Sequence, residues 1–179
     1  NDTLSVTGTV TTPNATVTTS DIDFGDTPTG SASQQTVTVD NIGNATLRVG
    51  EPTLNGSNAS EFGIVSGDQQ LRVAPGSDEQ IAVSFAPTST EIKKANLTIV
   101  PTNDPDASNT TIQLTGSGAT ANASINTSIE FGDVERGETA TEQVTVSNDG
   151  NATLNISRVV DPGVFNLSGL PEEIPANSE

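Results

Sequence analysis

Residues 24–47 of this chain read FGDTPTGSASQQTVTVDNIGNATL, and residues 131–154 read FGDVERGETATEQVTVSNDGNATL. The two segments align without a gap at an offset of 107, and 13 of their 24 positions are identical. A hexapeptide repeats as well, as TLSVTG at 3–8 and TIQLTG at 111–116. A period of this length is too long for a solenoid unit and fits an independent β domain. The repeat therefore predicts domains in tandem.

The phase of the repeat divides the chain into three parts. Residues 1–10 match the last strand of a preceding repeat, residues 11–120 form one complete β-sandwich, and residues 121–179 form the first part of a second. The second repeat lacks a counterpart to about 30 residues of the first. We therefore expect this chain to be a segment of a longer array.

Apolar and polar residues alternate in short segments of the complete repeat, which predicts strands separated by turns of Gly, Pro, Asn and Asp. No segment of useful length has a helical period. The predicted strands are Thr16–Phe24, Gln34–Asp40, Thr46–Leu54, Phe62–Ile64, Leu71–Val73, Glu79–Phe85, Ala95–Val100 and Thr111–Thr115. The residues predicted to face the core are Val37, Val39, Leu47, Val49, Phe62, Ile81, Val83, Phe85, Leu97, Ile99 and Leu114. This pattern predicts an all-β fold of immunoglobulin-like sandwiches.

Three further segments carry turn signals. Residues 41–44 (Asn-Ile-Gly-Asn) and residues 148–151 (Asn-Asp-Gly-Asn) predict hairpin turns, because Gly admits a positive φ and Asn bonds to nearby backbone. Residues 103–106 (Asn-Asp-Pro-Asp) predict a turn in which Asp and Pro set the bend.

The charge and composition exclude several function classes. The formal net charge is −17, with 23 acidic residues against 6 basic ones, so the surface repels nucleic acid and anionic membranes. Proteins of salt-loving archaea share this acidic, lysine-poor composition, although an ordinary acidic secreted protein also fits. The sequence has no Cys and no His, which removes disulfides, the usual zinc sites and the usual Ser-His and Cys-His pairs. We therefore predict a non-catalytic protein without a cofactor, and no membrane-inserting stretch in this segment.

Twelve of the sixteen asparagines lie in the tripeptide Asn-x-Ser/Thr, where chance would give roughly four, since about a quarter of the residues are Ser or Thr. This tripeptide, the sequon, accepts N-linked glycan outside the cytosol. The sequon asparagines are Asn1, Asn14, Asn44, Asn55, Asn58, Asn96, Asn109, Asn122, Asn126, Asn151, Asn155 and Asn166. The excess predicts a glycoprotein at the cell surface or beyond it. A β protein rich in Ser, Thr and Asn also makes such tripeptides by accident.

Three carboxylates near the end of the first predicted strand form a weak candidate for a metal site. Asp21, Asp23 and Asp26 are spaced so that they could hold Ca²⁺ at a domain junction. The second repeat keeps only Glu130 and Asp133 at the corresponding positions. A solvated strand end followed by a turn explains these residues better than a metal site does.

The order of the motifs in the complete repeat resembles a known family. VTVDNIGNATL and VTVSNDGNATL are followed in the complete repeat by LRVAPGS, IAVSFAP, LTIVPTNDP and IQLTG. This order is similar to the ASH/Hydin-type immunoglobulin-like domain, related to the major sperm protein fold. The resemblance implies a tandem array such as those of the prokaryotic "choice-of-anchor D" surface proteins. The intracellular eukaryotic relatives, at centrosomes and cilia, fit the sequons and the scarcity of lysine badly.

Three functions remain open for such a segment. The first is an extracellular structural role in a glycosylated stalk, fibre or filament, and the second is cell adhesion through a receptor-binding module. The third is a spacer domain of a surface enzyme. The expected partners are further copies of the chain or further repeats of it, head to tail. These copies would be joined covalently or by a strand, Leu4–Val10, donated to a neighbour.

Overall fold

The computed structural model describes residues 4–126, 128–157, 166–169 and 171–179, and it contains two compact units, Asn1–Gly118 and Ala119–Glu179. The described residues contain no α-helix, and Ala59–Glu61 form a short 3-10 turn. The strands of the first repeat are β1 (Ala15–Thr16), β2 (Asp21–Pro28), β3 (Ser33–Asn41), β4 (Leu47–Val49), β5 (Thr53–Asn55), β6 (Phe62–Ser66), β7 (Leu71–Val73), β8 (Ser77–Phe85), β9 (Ile92–Ile99) and β10 (Thr110–Ala119).

The first unit is a β-sandwich of two four-stranded sheets. The strand order is β1-β3-β8-β6 in one sheet, hereafter the β3 sheet, and β2-β10-β9-β5 in the other, hereafter the β9 sheet. A separate antiparallel pair, β4 with β7, lies outside both sheets. The longest pairing joins β3 to β8 over nine residue pairs, from Ser33 opposite Phe85 to Asn41 opposite Ser77. This order confirms the all-β, immunoglobulin-like sandwich predicted from the alternation.

The core lies between the two sheets and follows the predicted parity. All eleven residues predicted to face inward are buried, and Val37, Val39, Ile81 and Val83 are fully inaccessible to solvent. Residues that alternate along a strand point to opposite faces, so the inward set of each strand meets the inward set of the facing sheet. Burial of these side chains is the main favourable contribution to folding of this unit.

Three phenylalanines from different strands meet at one end of this core. The ring centroids of Phe62 and Phe85 are 4.8 Å apart, and Phe24 lies 5.8 Å from the first and 5.6 Å from the second. Gly116 on β10 makes room for this cluster, because a Cβ at that position would lie 2.6 Å from a ring carbon of Phe85. The glycine is therefore required by packing, and its backbone φ is not in the left-handed region.

Two predicted strands are wrong, because the alternation continues where the chain changes sheet. The predicted strand Thr16–Phe24 is two strands, β1 and β2, that pair in different sheets. The predicted strand Thr46–Leu54 is likewise divided into β4 and β5. Pro52 lies between them, and its missing N–H cannot continue a ladder of hydrogen bonds.

The second unit contains four short strands among its described residues. They are β11 (Ala123–Ile125), β12 (Val146–Asn148), β13 (Leu154–Asn155) and β14 (Glu173–Ile174). β11 pairs with β12 and β13 pairs with β14, both antiparallel. That this unit begins a second sandwich stays a prediction.

Candidate glycosylation surface

The described sequon asparagines are nearly all at the surface. Asn58 is half-buried, and Asn1 lies outside the described residues. The exposed ones are Asn14, Asn44, Asn55, Asn96, Asn109, Asn122, Asn126, Asn151, Asn155 and Asn166. An amide nitrogen must reach solvent to carry a glycan, so the fold leaves ten of these positions accessible.

Two sequons face each other on the outer surface of the β9 sheet. Asn55 on β5 lies directly opposite Asn96 on β9, and Gln113 on β10 lies opposite Asn96 on its other side. The inward neighbours Leu54 and Leu97 fix this parity, because Leu97 is fully buried and Leu54 packs against the core. The side chains of Asn55 and Asn96 therefore project to the same side of the same sheet.

Asn58 differs from the other sequons because its side chain takes part in the fold. Its Oδ1 accepts a hydrogen bond from the backbone N–H of Lys94 at 3.1 Å and another from the Ser57 hydroxyl at 3.3 Å. It also stands immediately before the 3-10 turn Ala59–Glu61. These contacts hold the segment after β5 against the first half of β9.

The predicted hairpin at residues 41–44 is wrong, since β3 and β4, which flank this segment, do not pair. Asn41 is instead buried, and we term its set of side-chain hydrogen bonds the asparagine bridge. Its Oδ1 accepts from the N–H groups of Asn14 and Gly43, both at 3.1 Å. Its Nδ2 donates to the carbonyls of Ala45 at 2.8 Å and Val73 at 3.0 Å. One amide thus joins three separate segments of backbone.

The second unit repeats the asparagine bridge at Asn148. Its Oδ1 accepts from the N–H groups of Asn122 and Gly150, both at 3.1 Å. Its Nδ2 donates to the carbonyls of Ala152 at 2.7 Å and Ile174 at 3.1 Å. The sequence identity between the two repeats therefore preserves a hydrogen-bonding arrangement as well as an apolar pattern.

The glycines of these two segments serve close packing and not a positive φ, in contrast to the sequence prediction. A Cβ at Gly43 would lie 2.4 Å from the Thr12 carbonyl oxygen, and one at Gly150 would lie 2.2 Å from that of Thr120. The sequon asparagines beside them contact the same two residues. Asn44 Oδ1 accepts from the Thr12 N–H at 2.8 Å, and Asn151 Oδ1 accepts from the Thr120 N–H at 2.9 Å.

The predicted turn at residues 103–106 is confirmed, and it also connects distant segments. Asp104 Oδ1 accepts from the Asp106 N–H at 3.1 Å, which is the local bond of an Asx turn. Asp104 Oδ2 accepts from the Ala15 N–H at 2.8 Å, so this buried carboxylate also holds β1. The Asn103 side chain bonds to the Arg48 N–H at 2.7 Å.

Each of the three calcium candidates has a different hydrogen-bond partner. Asp21 accepts from the Ser20 hydroxyl, Asp23 accepts from the Gly25 N–H at 2.9 Å, and Asp26 accepts from the Ser117 hydroxyl. Within the part of the chain that the structure describes, no group of three or more acidic side chains is placed to hold a metal ion. All three lie on β2, which continues to Pro28, so the strand end and turn predicted for this segment are wrong.

A buried ion pair at the sandwich edge was not predicted from the sequence. Lys93 Nζ lies 3.2 Å from Glu61 Oε1 and 3.4 Å from Glu91 Oε2, and the Lys93 and Glu61 side chains are 8% and 13% exposed. The hydrogen bond from the Thr88 N–H, with help from Lys93, outweighs desolvation and lowers the pKa of Glu61 below its ordinary value. Desolvation lowers the pKa of Lys93, but the hydrogen bond and charge of Glu61 outweigh it and raise that pKa overall. The signal in the sequence was Lys93 itself, which occupies an inward-facing position of β9.

Glu61→Gln should destabilise the protein at neutral pH, and this loss should disappear in acid. Because the folded pKa of Glu61 lies below 4.5, its carboxylate contributes stability that is fully present above the unfolded pKa. This contribution is lost as the pH falls through the folded value. Thermal unfolding of the wild type and the variant from pH 7 to pH 2 measures the difference. Glu91→Gln is the control, because Glu91 is 81% exposed and should matter little. A loss that persisted at pH 2 would contradict this account.

No helix of the described residues is long and apolar enough to cross a membrane. No curated protein matches the chain in sequence. A family model described as Cep192 domain 4 matches residues 12–119, which is more than half of the chain.

Three solved structures give a measure of the structural likeness. The ASH/PapD-like domain of human CEP192 is 15% identical with a TM-score of 0.44, covering 65% of this chain and 97% of that one. A protein of unknown function from Porphyromonas gingivalis W83 is 18% identical with a TM-score of 0.49, covering 59% and 47%. The secreted serine protease VesC from Vibrio cholerae is 16% identical with a TM-score of 0.44, covering 62% and 24%. The chain therefore spans less than half of the last two proteins.

Proposed function

The chain belongs to the Cep192 domain 4 family, and from this premise we propose that it is a non-catalytic, N-glycosylated structural segment of an extracellular surface protein. The family assigns an immunoglobulin-like sandwich, and such a fold hosts many functions. The function must therefore be argued from the surface of this chain. The proposed parent protein is a tandem array of the "choice-of-anchor D" kind, forming a stalk, fibre or filament.

The single observation that carries the proposal is the number of sequons together with their exposure. Ten of the eleven described sequon asparagines are exposed, on strands, at strand ends and in turns. Hydrated glycans attached at these positions would cover much of a small sandwich without entering its core. Such a coat fits a protein that faces the outside of a cell.

The non-catalytic part of the proposal rests on composition. A chain without His and Cys lacks the residues that most often serve as general base, nucleophile or zinc ligand. Its net charge of −17 suits hydration in concentrated salt, where counter-ions screen the carboxylates from one another. We therefore propose a surface protein of a halophilic archaeon.

The proposed partners are further repeats of the same chain or further copies of it, arranged head to tail. The exposed apolar side chains Leu4, Val6 and Val10 support this arrangement, with exposed fractions of 90%, 83% and 83%. Their segment includes TLSVTG, which matches TIQLTG of β10 in the complete repeat. A strand of this pattern would gain a paired edge and a buried face in such an assembly.

We expect the native protein to lose mass on deglycosylation. The test uses protein purified from its natural source, because a bacterial expression host without the transferase would add no sugar. The intact mass is measured before and after chemical removal of glycans, and it should fall to that of the unmodified polypeptide, 18.3 kDa for the chain printed here. A native protein whose mass already equals that of its polypeptide would contradict the proposal.

A further inference from the structure

Asn55 and Asn96 are an unusual pair among the sequons because the sheet sets them side by side. The register makes Asn55 and Asn96 direct cross-strand partners, and Leu54 partners Leu97 on the core side. Directly opposite residues on one face have Cβ atoms about 4.5–5.5 Å apart. A pyranose ring with its hydroxyl groups is wider than this separation. Two glycan chains rooted here would therefore compete for the same space above the sheet.

The surroundings keep the two asparagines from moving apart. β9 is a central strand, paired with β5 on one side and β10 on the other, so Asn96 has Gln113 as its second neighbour. The chain after Asn55 stays against β9, where Gly56 has φ of +122° and its Cβ would lie 3.1 Å from the Ala95 Cα. The Asn58 side chain then bonds to the Lys94 N–H at 3.1 Å. The edge strand β5 is thus held against β9 both before and after Asn55.

We propose that Asn55 and Asn96 are mutually exclusive glycan acceptors, so that each molecule carries sugar at one of them and never at both. This inference rests on the proposed function, because it requires that the protein is glycosylated. The two sites also differ in access. The tripeptide of Asn96 lies within a central strand whose backbone is paired on both sides, whereas Gly56 and Ser57 of the Asn55 tripeptide lie beyond the end of β5. A glycan attached to either asparagine therefore blocks attachment of a second glycan to the other.

The test counts glycans by intact mass on the full chain expressed in its glycosylating host. Ser57→Ala removes the Asn55 sequon, and Thr98→Val removes the Asn96 sequon while keeping a β-branched residue on the strand. If the two sites exclude one another, each single variant keeps the wild-type glycan number, because the remaining asparagine is then used. The double variant should lose one glycan.

A matched control uses a sequon without a cross-strand partner. Thr111→Val removes the Asn109 sequon, and Thr111 stands opposite Thr98 on the neighbouring strand. This variant should lose any glycan at Asn109 outright, with no compensation elsewhere. Its unfolding midpoint also shows whether a Thr→Val change beside Thr98 on the neighbouring strand disturbs the sheet.

The outcomes separate this inference from the proposed function. Loss of one glycan in each single variant and two in the double variant would overturn exclusivity and leave the protein a glycoprotein. A double variant with the same number of glycans as the wild type would overturn it as well, since neither site would then be used. A wild-type protein without any sugar would overturn both proposals together.

Discussion

Asn41→Ala should destabilise the first unit by about 3–4 kcal/mol, because four backbone groups lose their partner at once. In the asparagine bridge, the Asn41 side chain accepts from the N–H groups of Asn14 and Gly43 and donates to the carbonyls of Ala45 and Val73, at distances between 2.8 and 3.1 Å. Alanine restores none of these bonds, and Asn41 is only 1% exposed, so water has little access to the site. The expected fall in the unfolding midpoint is roughly 10–20 °C, measured by far-ultraviolet circular dichroism or calorimetry.

Asn44→Ala is the matched control for this prediction. Asn44 has the same side chain three residues further on, and its amide also contacts the segment before β1, where its Oδ1 accepts from the Thr12 N–H at 2.8 Å. It is exposed, however, so water can replace it, and the expected cost is within about 1 kcal/mol. If Asn41→Ala cost no more than Asn44→Ala, the bridge would not hold these segments together.

The inward face of the sandwich could be predicted from the sequence because burial follows from alternation alone. Val37 and Val39 on β3, and Ile81 and Val83 on β8, lie in the core as the period of two requires. The sheet to which a strand belongs could not be predicted in this way. Alternation runs through residues 16–24 although the chain leaves the β3 sheet for the β9 sheet within them.

The roles of residues 41–44 and 148–151 were the main feature that sequence reasoning missed. Asn and Gly together usually mark a hairpin. Here the asparagine instead hydrogen-bonds separate backbone segments to one another, and the glycine lets two of those segments pack closely. Asn41 and Asn148 are not sequons, yet they stand at identical positions of the two repeats. An asparagine kept in both repeats without a sequon was the available signal for a structural role. The exposure of the sequon asparagines themselves could be predicted, because glycan acceptors and turn residues both require the surface.

Unfolding midpoints should rise substantially from low salt to molar salt, because folding brings the carboxylates of a chain of net charge −17 together. One unfavourable pair can be assigned to the β3 sheet. Asp40 and Asp78 stand directly opposite each other, and Asp40 lies between the buried Val39 and Asn41, so the pair is on the outward parity of the sheet. Like charges directly opposite on a sheet destabilise it, by up to about 1 kcal/mol. Salt should therefore stabilise the protein both through its overall charge and through this pair.

Asp78→Asn separates the contribution of this pair from the general effect of charge. It should raise the low-salt midpoint by roughly 2–4 °C, and this advantage should vanish in molar salt, where the Debye length is about 3 Å or less. Asp68→Asn removes the same charge from an exposed position between β6 and β7 and should raise the midpoint less. Midpoints measured across a series of sodium chloride concentrations, for the wild type and both variants, provide the comparison.

A flat response of the wild type would mean that carboxylate repulsion does not limit its stability, and an ordinary acidic secreted protein would then fit the composition better than one adapted to molar salt. An equal gain from both variants would mean that the repulsion is spread over the whole surface and that the opposed carboxylates of β3 and β8 add nothing of their own.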